Sequence, residues 1–159
     1  MSFGSRLLRE PVGEIVVSIV SALSIAACAP AVRVVDGDTI IVGSTHYRLW
    51  GIEAPDLNQD CADGWHAGAA ARRTLADLIA GSRRIDCADW GRDPYRRVLG
   101  LCRADGQDLS AAMVSAGMAW AQASRGGAYR EVERDAREQG RGLHAHDCLP
   151  VSEWRQSSR

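Results

Sequence analysis

The sequence predicts an α+β fold in which five short strands form a small barrel, with three helices between and after them. Three observations carry that prediction. Two β-branched runs, residues 32–35 and 39–42, flank an Asp36-Gly37 pair, and Asp-Gly between such runs signals a hairpin because Gly accepts the positive φ of a tight turn. Two further apolar runs, around Cys87 and Cys102, are joined by a polar stretch. Between and after these strands, apolar residues recur at helical spacing.

Taken in order, residues 32–52 read as three consecutive strands with turns at Asp36-Gly37 and Gly43-Ser44. The last, from Tyr47 to Ile52, is rich in β-formers. Pro55 cannot donate to a ladder, so this strand is expected to stop near Glu53 and leave its acidic end in a loop. Residues 57–65 carry Asn, Gln, Asp and Gly and read as loop. A helix follows from His66, with Ala71, Leu75, Leu78 and Ile79 on one stripe, Arg72, Arg73 and Asp77 outward, and Gly81 as its stop. Residues 84–88 form the fourth strand, 89–96 an exposed connection, and 97–103 the fifth, closed by Asp105-Gly106. Asp108 is placed to cap a helix over 109–116, with Leu109, Ala112, Met113 and Ala116 inward and Gly117 ending it. The third helix, 128–139, pairs Glu133 with Arg137 and Arg134 with Glu138 at i, i+4, the pattern of a solvated face. Its apolar stripe is narrow: Tyr129, Val132 and Ala136. No usable period runs through residues 144–159.

A chain of 159 residues with 46% hydrophobic content suits one domain, here assigned to residues 31–147 with a tail over 148–159. The formal net charge is −1, which argues against the strong non-specific attraction to nucleic acid that a basic domain exerts. Any grip on a phosphate must therefore be local. All 19 basic residues are arginine, whose planar fork suits phosphate, although genomic base composition selecting Arg over Lys codons is the plainer account of the absence of lysine.

Residues 1–30 differ from the rest. Arg6 and Arg9 precede an apolar, small-residue run from Ile15 to Ala27, too short to span a bilayer comfortably but suited to a signal-peptide core. It ends in Ile25-Ala26-Ala27-Cys28, which looks like the lipobox of bacterial lipoproteins. Cys28 is thus the lipidation candidate, with membrane attachment through that lipid. Export is expected, whether the product is periplasmic, anchored or secreted. Glu10 and Glu14 depart from the pattern, and a buried N-terminal helix is the other reading. Export leaves Cys61, Cys87, Cys102 and Cys148, an even set in an oxidising compartment, with three possible pairings. Cys87 with Cys102 is favoured, since the two could face one another across a hairpin. Cys61 with Cys148 then pins the loop after the acidic stretch to the tail. No C-x-x-C pair exists to suit zinc.

The candidate chemistry lies in Arg48-Leu49-Trp50-Gly51-Ile52-Glu53-Ala54-Pro55-Asp56, which sets a cation and two carboxylates at the end of a strand. Asp38 sits beside the neighbouring turn. Asp38, Glu53 and Asp56 would repel one another unless a cation or a guanidinium sits among them. Such all-oxygen ligation suits calcium better than zinc. The plain alternative is that all three are solvated turn carboxylates.

At these residues the chain resembles the staphylococcal (thermo)nuclease family. The matching pieces, in order, are Val34-Val35-Asp36-Gly37-Asp38-Thr39, Tyr47-Arg48-Leu49 with Gly51-Ile52-Glu53-Ala54-Pro55-Asp56, Asp93-Pro94-Tyr95-Arg96-Arg97, Gly117-Met118-Ala119-Trp120, and a charged helix ending in Gly140-Arg141-Gly142-Leu143. The resemblance implies an OB-fold five-stranded barrel, a scaffold that often meets nucleic acids. It implies a calcium-dependent nuclease that cleaves DNA and RNA with little sequence preference and leaves 3′-phosphate ends, and a monomer is expected. By the same resemblance, Asp38, Glu53 and the backbone carbonyl of Ala54 match ligands of one Ca2+ ion. Asp56 matches the carboxylate that orients or deprotonates the attacking water, and Arg48 and Arg97 match the arginines that hold the scissile phosphate. Tyr95 matches a tyrosine beside the bound nucleotide, or else packs on the barrel. The family's best-known member has Asp where Glu53 stands and Glu where Asp56 stands, and its second stacking tyrosine falls near Ala123. An OB-fold module that binds nucleic acid or a protein partner without cleaving is the competing reading. His144 and His146 are not expected to form a metal site.

Overall fold

A computed structural model of the chain describes residues 31–158 apart from Gly126. The expected signal segment and Cys28 lie outside the described residues. β1 (Val32–Val34), β2 (Thr39–Val42) and β3 (Thr45–Leu49) form an antiparallel meander across the two expected turns. β3 then runs parallel to β6 (Val98–Ala104), which pairs antiparallel with β5 (Ile85–Arg92), giving the order β1-β2-β3-β6-β5. These five principal strands make the α+β, OB-like sheet that the sequence predicts. β7 (Gln107–Asp108) adds to β6, and β4 (Ile52–Glu53) pairs with β8 (Trp120–Ala121) in a separate two-stranded sheet.

The helices are α1 (Ala67–Ile79), α2 (Leu109–Ser115), α3 (Arg130–Glu138) and α4 (Val151–Ser157). Asp108 caps α2 as expected, accepting from the Ala111 N–H at 3.1 Å, and Gly117 follows with φ +69°. Ile40, Leu49, Ile52, Leu75, Leu109 and Met113 are fully buried together, so sheet and helices share one core directly beneath the strand ends that carry the acidic stretch.

The structure corrects four expectations. The strand expected from Tyr47 to Ile52 is two strands, β3 and β4, broken at Gly51 with φ +78°. The positive φ suits glycine, a side chain there would also meet the Tyr129 ring at 2.8 Å, and Glu53 follows in a different sheet. β5 does not end at Ala88. It runs on to Arg92 through an irregularity between Asp89 and Arg92, where Trp90 packs on Trp50 with ring centres 5.2 Å apart. Glu133 is not on a solvated face: it reaches Arg137 at 2.9 Å, but its other oxygen accepts from the Ala121 N–H at 3.2 Å and holds β8. Finally, the tail contains α4, anchored by the buried Val151.

Both favoured disulfides are present. Cys87 and Cys102 face one another in register across β5 and β6, and Cys61 bonds Cys148.

Candidate active site

The turn before β2 is built around Asp36, whose Oδ1 accepts from the Asp38 N–H at 3.0 Å. That Asx turn aims Asp38 inward, where only 3% of it remains exposed. Its Oδ1 accepts from Thr39 Oγ1 at 3.0 Å and from Arg48 Nη1 at 2.8 Å, and its Oδ2 accepts from the Ala54 N–H at 3.0 Å. Burial drives the Asp38 carboxyl upward, Arg48 opposes it, and the balance leaves it raised to about 6. A carboxylate so placed favours a nearby positive charge. Arg48, opposite Thr39 in the β2–β3 register, supplies one, and its Nη2 also lies 3.9 Å from Glu53 on β4.

Arg97 comes from the connection before β6. Asp93 shapes that connection by accepting from the N–H groups of Tyr95 and Arg97, both at 2.9 Å, and from Arg97 Nε at 2.6 Å. Burial pushes the Asp93 carboxyl up, but the hydrogen bonds and charge of Arg97 outweigh it and hold the group below the usual carboxylate range. Tyr95 is 81% exposed, which removes the alternative that it packs on the barrel. The Arg97 guanidinium lies 5.6 Å from its ring centre.

Asp56 lies past the buried Pro55, in the loop leading to α1. Gln59, fully buried, holds this loop: its Oε1 accepts from the Asp56 N–H at 3.3 Å, and its Nε2 donates to the Leu149 carbonyl at 2.8 Å. The Asp56 side chain meets Arg155 of α4, which donates Nε to Oδ2 at 2.7 Å and Nη2 to Oδ1 at 2.5 Å. The Asp56 hydrogen bond, and beyond it the charges of Asp56, Glu53 and Asp38, raise the Arg155 pKa above its ordinary value.

All seven residues singled out from the sequence, Asp38, Arg48, Glu53, Ala54, Asp56, Tyr95 and Arg97, line a single cleft of about 580 Å³. Asp93 and Arg155 line it as well, and the sequence reading missed both as site residues. The short spacing from Asp93 to Arg97, inside a stretch already matched, was a usable signal for the first. Arg155 left none, since it stands 99 residues from Asp56 in a tail with no period. The three acidic residues are not one cage: among the described residues no group of three or more His, Cys, Asp or Glu side chains could hold a metal ion. Arg48 sits at Asp38 and Glu53, and Arg155 takes Asp56.

The donor chemistry nevertheless fits a hard cation. Asp38 and Glu53 present oxygen only, and the cleft's five carboxylates outnumber its three guanidiniums, an excess that a divalent ion with oxygen ligands would neutralise. His146, by contrast, stacks on Trp65 at 4.2 Å and bonds Asp63 at 2.7 Å, a structural arrangement that involves no other histidine.

Comparison with known proteins agrees with this architecture. The staphylococcal nuclease homologue family matches residues 46–146, a span that holds Arg48, Glu53, Asp56, Tyr95 and Arg97 but neither Asp38 nor Arg155. An uncharacterized endonuclease of Haemophilus influenzae is 31% identical over 136 residues, covering 80% of this chain and 72% of that protein. The succinoglycan biosynthesis protein ExoI of Rhizobium meliloti is 28% identical over 141 residues, covering 83% and 74%. With its OB-like sheet and the family's span laid over the cleft, the chain belongs to the staphylococcal nuclease homologues, a family of hydrolytic nucleases.

Proposed function

We propose that the chain is a calcium-dependent nuclease that hydrolyses phosphodiester bonds of DNA and RNA with little sequence preference and leaves 3′-phosphate ends. The observation that carries the reading is the convergence of Arg48, Arg97, Asp38, Glu53 and Asp56 on one cleft. Asp38, Glu53 and the Ala54 carbonyl would hold the calcium ion, which when bound supplies positive charge to the phosphate oxygens. Arg48 and Arg97 grip the scissile phosphate, each steadied by a carboxylate, and neutralise the charge that builds on its equatorial oxygens. Asp56 accepts a proton from the attacking water. The new P–O bond forms as the bond to the 5′-oxygen breaks, that oxygen takes a proton from solvent, and the phosphate stays on the 3′ side. The exposed Tyr95 offers a face to the adjacent base, and stacking on an aromatic ring tolerates any base, in keeping with little sequence preference.

A binding module that no longer cleaves is the competing reading, and one observation favours it: Arg155 engages both oxygens of Asp56. Arg97→Ala separates the two. A nuclease loses turnover by orders of magnitude with its fold intact, whereas a module shows no turnover in either form. Export belongs to the same proposal and is supported by the two disulfides, which persist in oxidising compartments; a monomer is proposed with it.

A further inference from the structure

The C-terminal helix contributes to the cleft a residue that lies outside the span matched to the family. Arg155 grips Asp56 through two parallel N–H···O bonds, the arrangement in which a guanidinium fixes the plane of a carboxylate as well as its charge. Each oxygen of an ionised carboxylate has two acceptor sites, so the fork leaves one free on each for a water. An otherwise free aspartate side chain in an open cleft would sample several rotamers.

The helix that delivers Arg155 is itself tied down at the loop that carries Asp56. Cys148 is bonded to Cys61, the Ala62 N–H donates to the Asp147 carbonyl at 2.9 Å, Gln59 Nε2 donates to the Leu149 carbonyl at 2.8 Å, and Val151 is fully buried. A seven-residue helix has little stability of its own, so these ties and not its own hydrogen bonds set where Arg155 stands.

We propose that Arg155 is a positioning residue of the nuclease site: its fork holds the Asp56 carboxylate in the orientation that receives the attacking water, and the Cys61–Cys148 disulfide holds the helix that presents it. The proposal rests on the nuclease reading above. A carboxylate misplaced by about 1 Å costs on the order of a hundredfold in rate, so the effect falls on turnover and not on substrate affinity.

Steady-state hydrolysis of single-stranded DNA in the presence of calcium tests it, with the full chain, Arg155→Ala, Arg155→Lys and the double variant Cys61→Ser/Cys148→Ser, each checked for its melting transition. Arg155→Ala should lower kcat about 10- to 100-fold with KM within about twofold. Arg155→Lys should lose nearly as much, because a single ammonium cannot make the fork. The cysteine variant should show a similar loss, and adding Arg155→Ala to it should cost little more. A rise in KM at constant kcat would overturn the proposal by making Arg155 a phosphate ligand, and a gain in kcat would overturn it by making Arg155 a plug. Full activity in Arg155→Lys would overturn it by showing that charge alone suffices. Wild-type chain with no turnover sinks the nuclease reading and this role together, whereas active wild type matched by Arg155→Ala sinks this role only.

Discussion

Arg97 and Asp93 are joined through both backbone and side chain: the Arg97 N–H donates to Oδ1 at 2.9 Å and its Nε donates to Oδ2 at 2.6 Å. One carboxylate therefore fixes both where the chain turns and where the guanidinium points. Replacing Asp93 by Ala should lower kcat/KM by at least tenfold and destabilise the fold by about 2 kcal/mol, the scale of a hydrogen bond to a charged group. Steady-state kinetics and urea unfolding check the two effects.

The same pair gives the chain an acid limit. The Asp93 carboxyl is held below its ordinary value of 3.8 in the folded protein, so the unfolded chain takes up its proton first as pH falls. The stabilisation is complete above the ordinary value and is lost as pH drops through the folded one. Urea unfolding followed downward from about pH 5 should show a decline that is shallower in Asp93→Asn.

Arg48 is the main counter-charge of a buried acid. With Asp38 only 3% exposed, Arg48→Ala leaves that carboxylate without its guanidinium and should cost about 3 to 5 kcal/mol in chemical denaturation. Adding Asp38→Asn should recover part of the loss, because a neutral amide does not need the cation.

The two disulfides should differ in worth. Cys61–Cys148 closes a sequence separation of 87 residues and Cys87–Cys102 one of 15. Loop-closure entropy makes them worth about 4 to 5 and about 3 kcal/mol. Serine double variants, compared by denaturant midpoint, should rank in that order.

Gly68, near the start of α1, lies against the loop that carries Asp56. A Cβ there would stand 1.9 Å from the Asp56 carbonyl oxygen and 2.6 Å from the Leu57 carbonyl group, so backbone must move to admit one. Gly68→Ala should therefore destabilise by about 1 to 3 kcal/mol and also reduce turnover, by up to about a hundredfold if Asp56 shifts by about 1 Å.

How far the sequence could be read follows from where each signal is stored. The five principal strands, the Asp108 cap and the stripes of α1 and α2 are local patterns, and each was legible from its own neighbours in sequence. The cleft was legible through short matched stretches on β3, β4 and the Asp93–Arg97 connection. The break at Gly51 was not read because a lone Gly inside a β-forming run leaves open whether the strand bulges or ends, and the Tyr129 ring that excludes a side chain there is a contact between distant segments. The extension of β5 answers to a contact of that kind, Trp50 packing on Trp90. Helix α4 was hidden because seven residues with one buried apolar side chain carry no period, and its position comes from a disulfide and from Gln59, both partners far away in sequence.

The central claim is that this cleft hydrolyses phosphodiesters with calcium held at Asp38 and Glu53. Hydrolysis of single-stranded DNA by the purified, oxidised chain, with calcium and with a chelator, beside Asp38→Asn verified as folded, tests it most directly. The account predicts cleavage that requires calcium and falls by orders of magnitude in Asp38→Asn. Cleavage indifferent to the chelator, or none at all from the folded wild-type chain, would contradict it.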